Sequence, residues 1–116
     1  MLIFADGSVY EGEFKDNVIN GYGKYKWIDG KTYQGDWVDS KMNGKGEMIW
    51  ADGKSYIGQF YNDKRHGYGV FKYPDGRVYK GEYKNGKQHG EGIYIGLDNE
   101  ERKGEWAQGR RIRWIL

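Results

Sequence analysis

The sequence predicts an all-β protein: an elongated, twisted, single-layer antiparallel sheet built from tandem 23-residue β-hairpin repeats. Three observations carry this expectation. The pentapeptides YEGEF, YQGDW, YIGQF and YKGEY begin at Tyr10, Tyr33, Tyr56 and Tyr79, each 23 residues after the last. Glycines recur 2, 11 and 13 residues after every one of these tyrosines, as Gly12, Gly21 and Gly23 in the first unit and Gly81, Gly90 and Gly92 in the fourth. Finally, 20 glycines and one proline stand beside 5 Trp, 11 Tyr and 4 Phe, with few aliphatic residues. A core filled at crystal-like density by aliphatic side chains is therefore out of reach, and rings laid against glycines must replace it. A fixed period without insertions is the mark of a repeat array.

The elements follow in order. Residues 1–9 form a partial leading unit, recognised by Asp6-Gly7. Four complete repeats then run over 10–32, 33–55, 56–78 and 79–101, and a partial unit over 102–116 has Arg102 in the tyrosine position but keeps Gly104 and Trp106. Alternate residues of a strand share a face. Each pentapeptide thus puts aromatic, glycine, aromatic on one side and residues such as Glu11 and Glu13 on the other. The second strand of a repeat alternates glycine, glycine and two bulky residues: Tyr25 and Trp27, Met48 and Trp50, Phe71 and Tyr73, then Tyr94 and Gly96. Between the two strands lie Asp16-Asn17, Asp39-Ser40, Asn62-Asp63 and Asn85-Gly86, mostly residues that tolerate positive φ and suit hairpin loops. Asp29-Gly30, Asp52-Gly53, Asp75-Gly76 and the altered Asp98-Asn99 join one hairpin to the next. About ten strands at roughly 4.8 Å each make a ribbon ~40–50 Å long, in which each unit touches mainly its neighbours. The glycine between two aromatics is expected to leave bare backbone for a neighbouring ring.

Composition removes several functions. With 19 basic and 17 acidic residues the net charge is +2, too small for a nucleic-acid partner. There is no cysteine for a disulfide or thiolate metal site, and no metal or cofactor is expected. No apolar run approaches the ~20 residues of a membrane-spanning helix, and a cytoplasmic address is the expectation. His66 and His89, the two histidines, occupy the position that holds Asn20 and Asn43 in other units, so a turn hydrogen bond is expected of them rather than general-base chemistry. The periodic Gly-x-Gly pairs lack a following helix and do not form a dinucleotide site. The chain is not expected to be an enzyme.

Tyr-x-Gly-x-Trp/Phe, then Gly-x-Gly, then Asp-Gly on a 23-residue period resembles the MORN repeat (membrane occupation and recognition nexus), from Asp6-Gly7 to Trp106; NDKRHGYG and NGKQHGEG are close to its pattern. The aromatic-glycine repeats of choline-binding cell-wall modules are the nearest rival, with a shorter period. The resemblance implies a ribbon of hairpins with an aromatic groove, serving as an adaptor in cytoskeletal or ciliary assemblies, or as an appendage to a catalytic domain.

Two candidate surfaces follow. The tyrosines that open each pentapeptide, and the aromatics four residues on, are assigned to packing. The rims of Tyr25, Trp27, Trp50, Phe71 and Tyr73 are expected to contact a protein partner, a peptide or helix, because a single-layer sheet has no second layer to cover them. At the C-terminal end Arg102, Lys103, Arg110, Arg111 and Arg113 outnumber Glu101 and Glu105, with Trp106, Trp114, Ile115 and Leu116 as apolar company. This end is the candidate for anionic membrane lipid, the alternative to protein docking. An uncovered edge strand also invites homo-oligomeric pairing.

Overall fold

The computed structural model describes residues 1–115; Leu116, grouped above with the basic end, lies outside the described residues. The strands are β1 (Leu2–Ile3), β2 (Val9–Lys15), β3 (Val18–Lys26), β4 (Thr32–Val38), β5 (Lys41–Ile49), β6 (Ser55–Tyr61), β7 (Lys64–Lys72), β8 (Val78–Lys84), β9 (Lys87–Ile95), β10 (Glu101–Ala107) and β11 (Arg110–Trp114). They lie in one open sheet in chain order, as a meander with no crossover. The leading unit supplies the short extra strand, pairing Leu2 with Tyr10 and Ile3 with Val9. The molecule measures 51 × 24 × 18 Å. Ten inter-strand steps of about 4.8 Å account for the length. The 18 Å depth exceeds that of a flat pleated sheet and records the accumulated twist of the strands.

Turn chemistry sets the hairpins. Both residues of each two-residue turn have positive φ, from Asp16 (52°) and Asn17 (65°) to Asn85 (51°) and Gly86 (85°). That is the turn whose twist matches paired strands. Each turn also leans on the hairpin before it: the N–H groups of Ser40, Asp63, Gly86 and Gly109 donate to the carbonyls of Ile19, Met42, Arg65 and Gln88 at 2.8–3.0 Å. In the connections the aspartate side chain accepts the N–H two residues on, as Lys31 to Asp29 at 2.9 Å. Asn99 takes the left-handed place of glycine with φ 62°, which asparagine tolerates.

Pairing lines up the glycines. Gly12, Gly23, Gly35, Gly46, Gly58, Gly69, Gly81, Gly92 and Gly104 stand opposite one another strand after strand from β2 to β10. Over each hairpin's pair lies the ring of that hairpin's own tyrosine: a Cβ added at Gly23, Gly46, Gly69 or Gly92 would fall on Tyr10, Tyr33, Tyr56 or Tyr79. The expectation of a neighbour's ring over the glycine is corrected here, since the tyrosine two residues earlier in the same strand folds along it. Its hydroxyl donates to the carbonyl three residues on, at 2.8 Å for Tyr10 to Glu13 and 3.0 Å for Tyr56 to Gln59. That carbonyl lies where the register shifts, between Gly12 and Phe14 or Gly58 and Phe60. The bulge removes a ladder partner and the phenol replaces it. On the other side of the sheet Glu13 accepts the Tyr22 N–H at 2.7 Å and Gln59 the Tyr68 N–H at 3.1 Å. Opposite these side chains Gly21 and Gly67 adopt φ of 100° and 94°, which is left-handed backbone suited to glycine.

Neighbouring repeats meet edge to face. Trp37 stands between Tyr10 and Tyr33 (5.9 and 5.1 Å), Phe60 between Tyr33 and Tyr56 (5.0 and 5.2 Å), and Tyr83 between Tyr56 and Tyr79 (5.2 and 5.5 Å). Trp106 closes on Tyr79 at 4.9 Å. These T-shaped pairs suit the ring quadrupole and contribute about 0.5–1.5 kcal/mol each beyond burial. The four tyrosines are wholly buried, and Trp37, Phe60, Tyr83 and Trp106 nearly so. Phe14, in the same place on the first hairpin, is 47% exposed because no earlier tyrosine covers it. At the other end Trp114 faces Gly104 where inner hairpins pair glycine with glycine. Its ring lies 6.2 Å from both Tyr94 and Trp106, and with tyrosine absent at Arg102 the ring over Gly104 is that of Trp106.

Candidate functional site

The second strand of each repeat carries the candidate residues past the tyrosine ladder. Tyr25 and Trp27 pack together at 4.5 Å, and Phe4 stacks on Tyr25 at 5.5 Å. Trp50, Phe71 and Tyr73 form a second group, with Phe71 5.8 Å from Trp50 and 4.8 Å from Tyr73. Tyr25, Trp27, Trp50 and Tyr73 are half-buried and offer open rims. Phe71 departs from the expectation of a rim: it is 7% exposed, because its neighbours cover it, and it supports the others instead. Residues of the Asp-Gly connections reach back over this row. The Lys31 ammonium lies 4.8 Å from the Trp27 ring, Lys54 5.4 Å from Trp50, and the Arg77 guanidinium 4.6 Å from Tyr73. Arg77 is fixed by Asp75 at 2.8 Å, and the Arg77 backbone N–H and guanidinium hold the Asp75 carboxyl below its usual range.

Two hollows open on this face. One, of 480 Å³, lies over Ile19, Tyr25, Trp27, Trp37 and Met42, with Asp63 at its margin. The other, of 220 Å³, lies among Arg65, Phe71, Tyr73, Tyr83 and Lys87. Ile19, Met42 and Arg65 share one repeat position and face the ladder because alternation continues two residues before Gly21, Gly44 and Gly67. Sequence reasoning missed them: Asn20 or His66 followed by glycine reads as a turn, although Ile19 and Met42 signalled that the strand had already begun. Burial lifts the hydroxyls of Tyr33, Tyr56 and Tyr79 well above the ordinary phenol value. Tyr83 is pushed up to about 12, burial outweighing the opposing charge of Arg65.

The opposite face is less polar than alternation suggested. Tyr22, Lys45, Ile57, Tyr68 and Val70 line a groove of 690 Å³ across the middle of the sheet. The basic C-terminal residues do not gather on one surface. Arg102 and Arg111 share the face of Trp106, whereas Lys103, Arg110 and Arg113 point the other way, since Ile112 is the extra residue of a bulge. Arg102 pairs with Asp98 and Glu100, Lys103 with Glu91, and Arg113 with Glu105. Arg111 lies on the Trp114 ring at 4.3 Å, leaving Arg110 without either kind of partner among the described residues. His66 Nδ1 accepts the Asn85 N–H at 3.4 Å, as Asn20 accepts that of Asp39 at 3.2 Å, the turn role expected of this position. Among the described residues no cluster of three or more His, Asp or Glu could hold a metal ion.

An open meander of like hairpins, with its rings spent on stacking and their outer rims left over, defines a repeat-built β-sheet array. The MORN repeat family model matches residues 10–32, 33–55, 56–76 and 79–99, and the chain belongs to the MORN repeat family. Repeats of this family typically mediate contacts with proteins or membranes and are generally non-catalytic. No curated protein matches the chain.

Proposed function

We propose that the protein is a noncatalytic scaffold that docks an amphipathic helix or peptide of a partner along the aromatic face, within an intracellular assembly of cytoskeletal or ciliary type. One observation carries the reading: the half-buried rims of Tyr25, Trp27 and Tyr73 border two hollows on the same face, and the second is lined by Arg65, a cation in none of the ion pairs among the described residues. Apolar anchors flanked by charge are what an amphipathic helix needs. Lipid tethering is the weaker reading, because the basic end is divided between two faces and largely paired with acidic residues.

The test is site-specific photo-crosslinking. A benzophenone amino acid replaces Trp27 in one variant and Tyr22, on the opposite face, in another. Adducts to one protein segment from position 27 alone support the reading. Adducts from position 22 alone move the site to the opposite groove and overturn it.

A further inference from the structure

Among the described residues, Arg65 is the one cation that lies over four rings of the aromatic face. Its guanidinium lies 5.0 Å from the Tyr83 ring centroid, 5.4 Å from Phe71 and 5.8 Å from both Trp50 and Tyr56. It is half-buried, and Nη2 donates to the Gly86 carbonyl at 3.0 Å. None of the ion pairs among the described residues includes it. The remaining N–H groups have no protein acceptor among the described residues, and Arg65 lines the 220 Å³ hollow. A planar fork in a ring-walled recess is suited to a carboxylate taken in two-point fashion, and the local attraction is stronger than in open water.

The stripe to which Arg65 belongs is ordered in chemistry. Its members are Ile19 on β3, Met42 on β5, Arg65 on β7, Gln88 on β9 and Arg111 on β11. Ile19 and Met42 are buried and apolar, and the cations come after them. Successive members stand two strands apart, about 9.6 Å, close to the ~10.8 Å of two α-helical turns. A helix laid slightly aslant the sheet therefore meets the stripe about every seven residues. Resting on the docking reading above, we infer that the partner is an amphipathic helix with two apolar anchors over Ile19 and Met42 and a carboxylate side chain about one heptad further on, paired with Arg65. This pair fixes which way the helix lies. Charge complementarity at Arg65, with the buried apolar Ile19 and Met42 preceding it on the same stripe, favours a single acidic helix over an anionic lipid.

The experiment is selection from a displayed library of amphipathic helical peptides of about twenty residues, a length that spans the stripe. It uses the full chain, the Arg65→Glu variant, and the Trp27→Ala/Trp50→Ala pair as a groove control, each with its thermal melt recorded. The expected result is peptides with a fixed acidic position one heptad beyond an apolar pair, replaced by lysine or arginine in selections on Arg65→Glu. For one selected peptide, acid-to-amide exchange weakens binding to the full chain about tenfold. It leaves binding to Arg65→Met, which keeps the packing volume, unchanged. Peptides that need Trp27 and Trp50 but show no acidic preference overturn the Arg65 pairing and leave the docking reading standing. A library with no peptide dependent on those tryptophans overturns both. Loss of phosphatidylserine vesicle binding in Arg65→Glu, with no acidic peptide selected, assigns the recess to lipid and overturns the inference.

Discussion

Replacing Gly46 by alanine tests the packing principle of the whole array. Gly46 has ordinary backbone angles, so the substitution adds no left-handed strain; the added Cβ lands on the Tyr33 ring. Two escapes exist. Tyr33 can swing out, exposing a ring that now has 0% exposure; about 200 Å² at ~25 cal/mol per Å² is about 5 kcal/mol. Alternatively β4 and β5 can part, giving up several ladder hydrogen bonds at about 1 kcal/mol each along with the contacts of Trp37. Either route costs about 3–5 kcal/mol, the range of a deleted core aromatic. The matched control is Gly53→Ala, which has open space around the new methyl but φ +95°, and costs about 1–2 kcal/mol from backbone alone. Urea unfolding followed by tryptophan fluorescence reads both, with the slope checked for constancy. A double-mutant cycle with Tyr33→Ala completes the test: once the ring is gone the methyl has room, so the pair must couple by about 2 kcal/mol or more. Additive losses, or a Gly46→Ala penalty no larger than that of Gly53→Ala, would refute the account of ring over glycine.

Other outcomes follow from the same geometry. Phe60→Ala should cost about 3–5 kcal/mol, whereas Phe14→Ala at the same repeat position should cost less than about 1 kcal/mol, since that ring is 47% exposed; equal losses in urea melts would contradict the ladder. Tyr56→Phe removes the hydroxyl that donates to Gln59 O at 3.0 Å and should cost about 1–3 kcal/mol, because the freed carbonyl loses its partner; an unchanged urea midpoint would remove the phenol from that role. Tyr33, Tyr56 and Tyr79 have raised folded-state values, so the folded chain holds these protons more tightly than the unfolded one. Their stabilisation is complete below the unfolded value of about 10 and falls by up to ~1.4 kcal/mol per pH unit for each tyrosine above it. Urea midpoints across this range, with phenolate absorbance in parallel, check the sign. Midpoints that stay level while every tyrosine ionises as an exposed phenol would contradict the burial.

Much of the fold was legible because it is local and repeated. The positive-φ turns at Asp16-Asn17 and Asn85-Gly86 were readable from residue type, as was the assignment of Tyr10, Tyr33, Tyr56 and Tyr79 to packing. The placement of the candidate residues was legible in part. Tyr25, Trp27, Trp50 and Tyr73 lie where alternation put them, but Phe71 sank into the core because Trp50 and Tyr73 converge on it from different repeats. Arg65 was hidden because its chain neighbours look like a turn. The arginines near the end formed a patch only along the chain; a single bulge at Ile112 turned Arg113 to the other side and onto Glu105.

The sequence by itself determined the period, the hairpins, the order of strands and the two faces, because these depend on residues within a few positions of one another and each unit repeats the same instruction. Only the tertiary structure decided which ring lies over which glycine, which rims remain open and that Arg65 stands among four rings with no ion-pair partner among the described residues. Those outcomes are set between strands, where side chains one repeat apart compete for the same space and a bulge in one strand decides which of them meet.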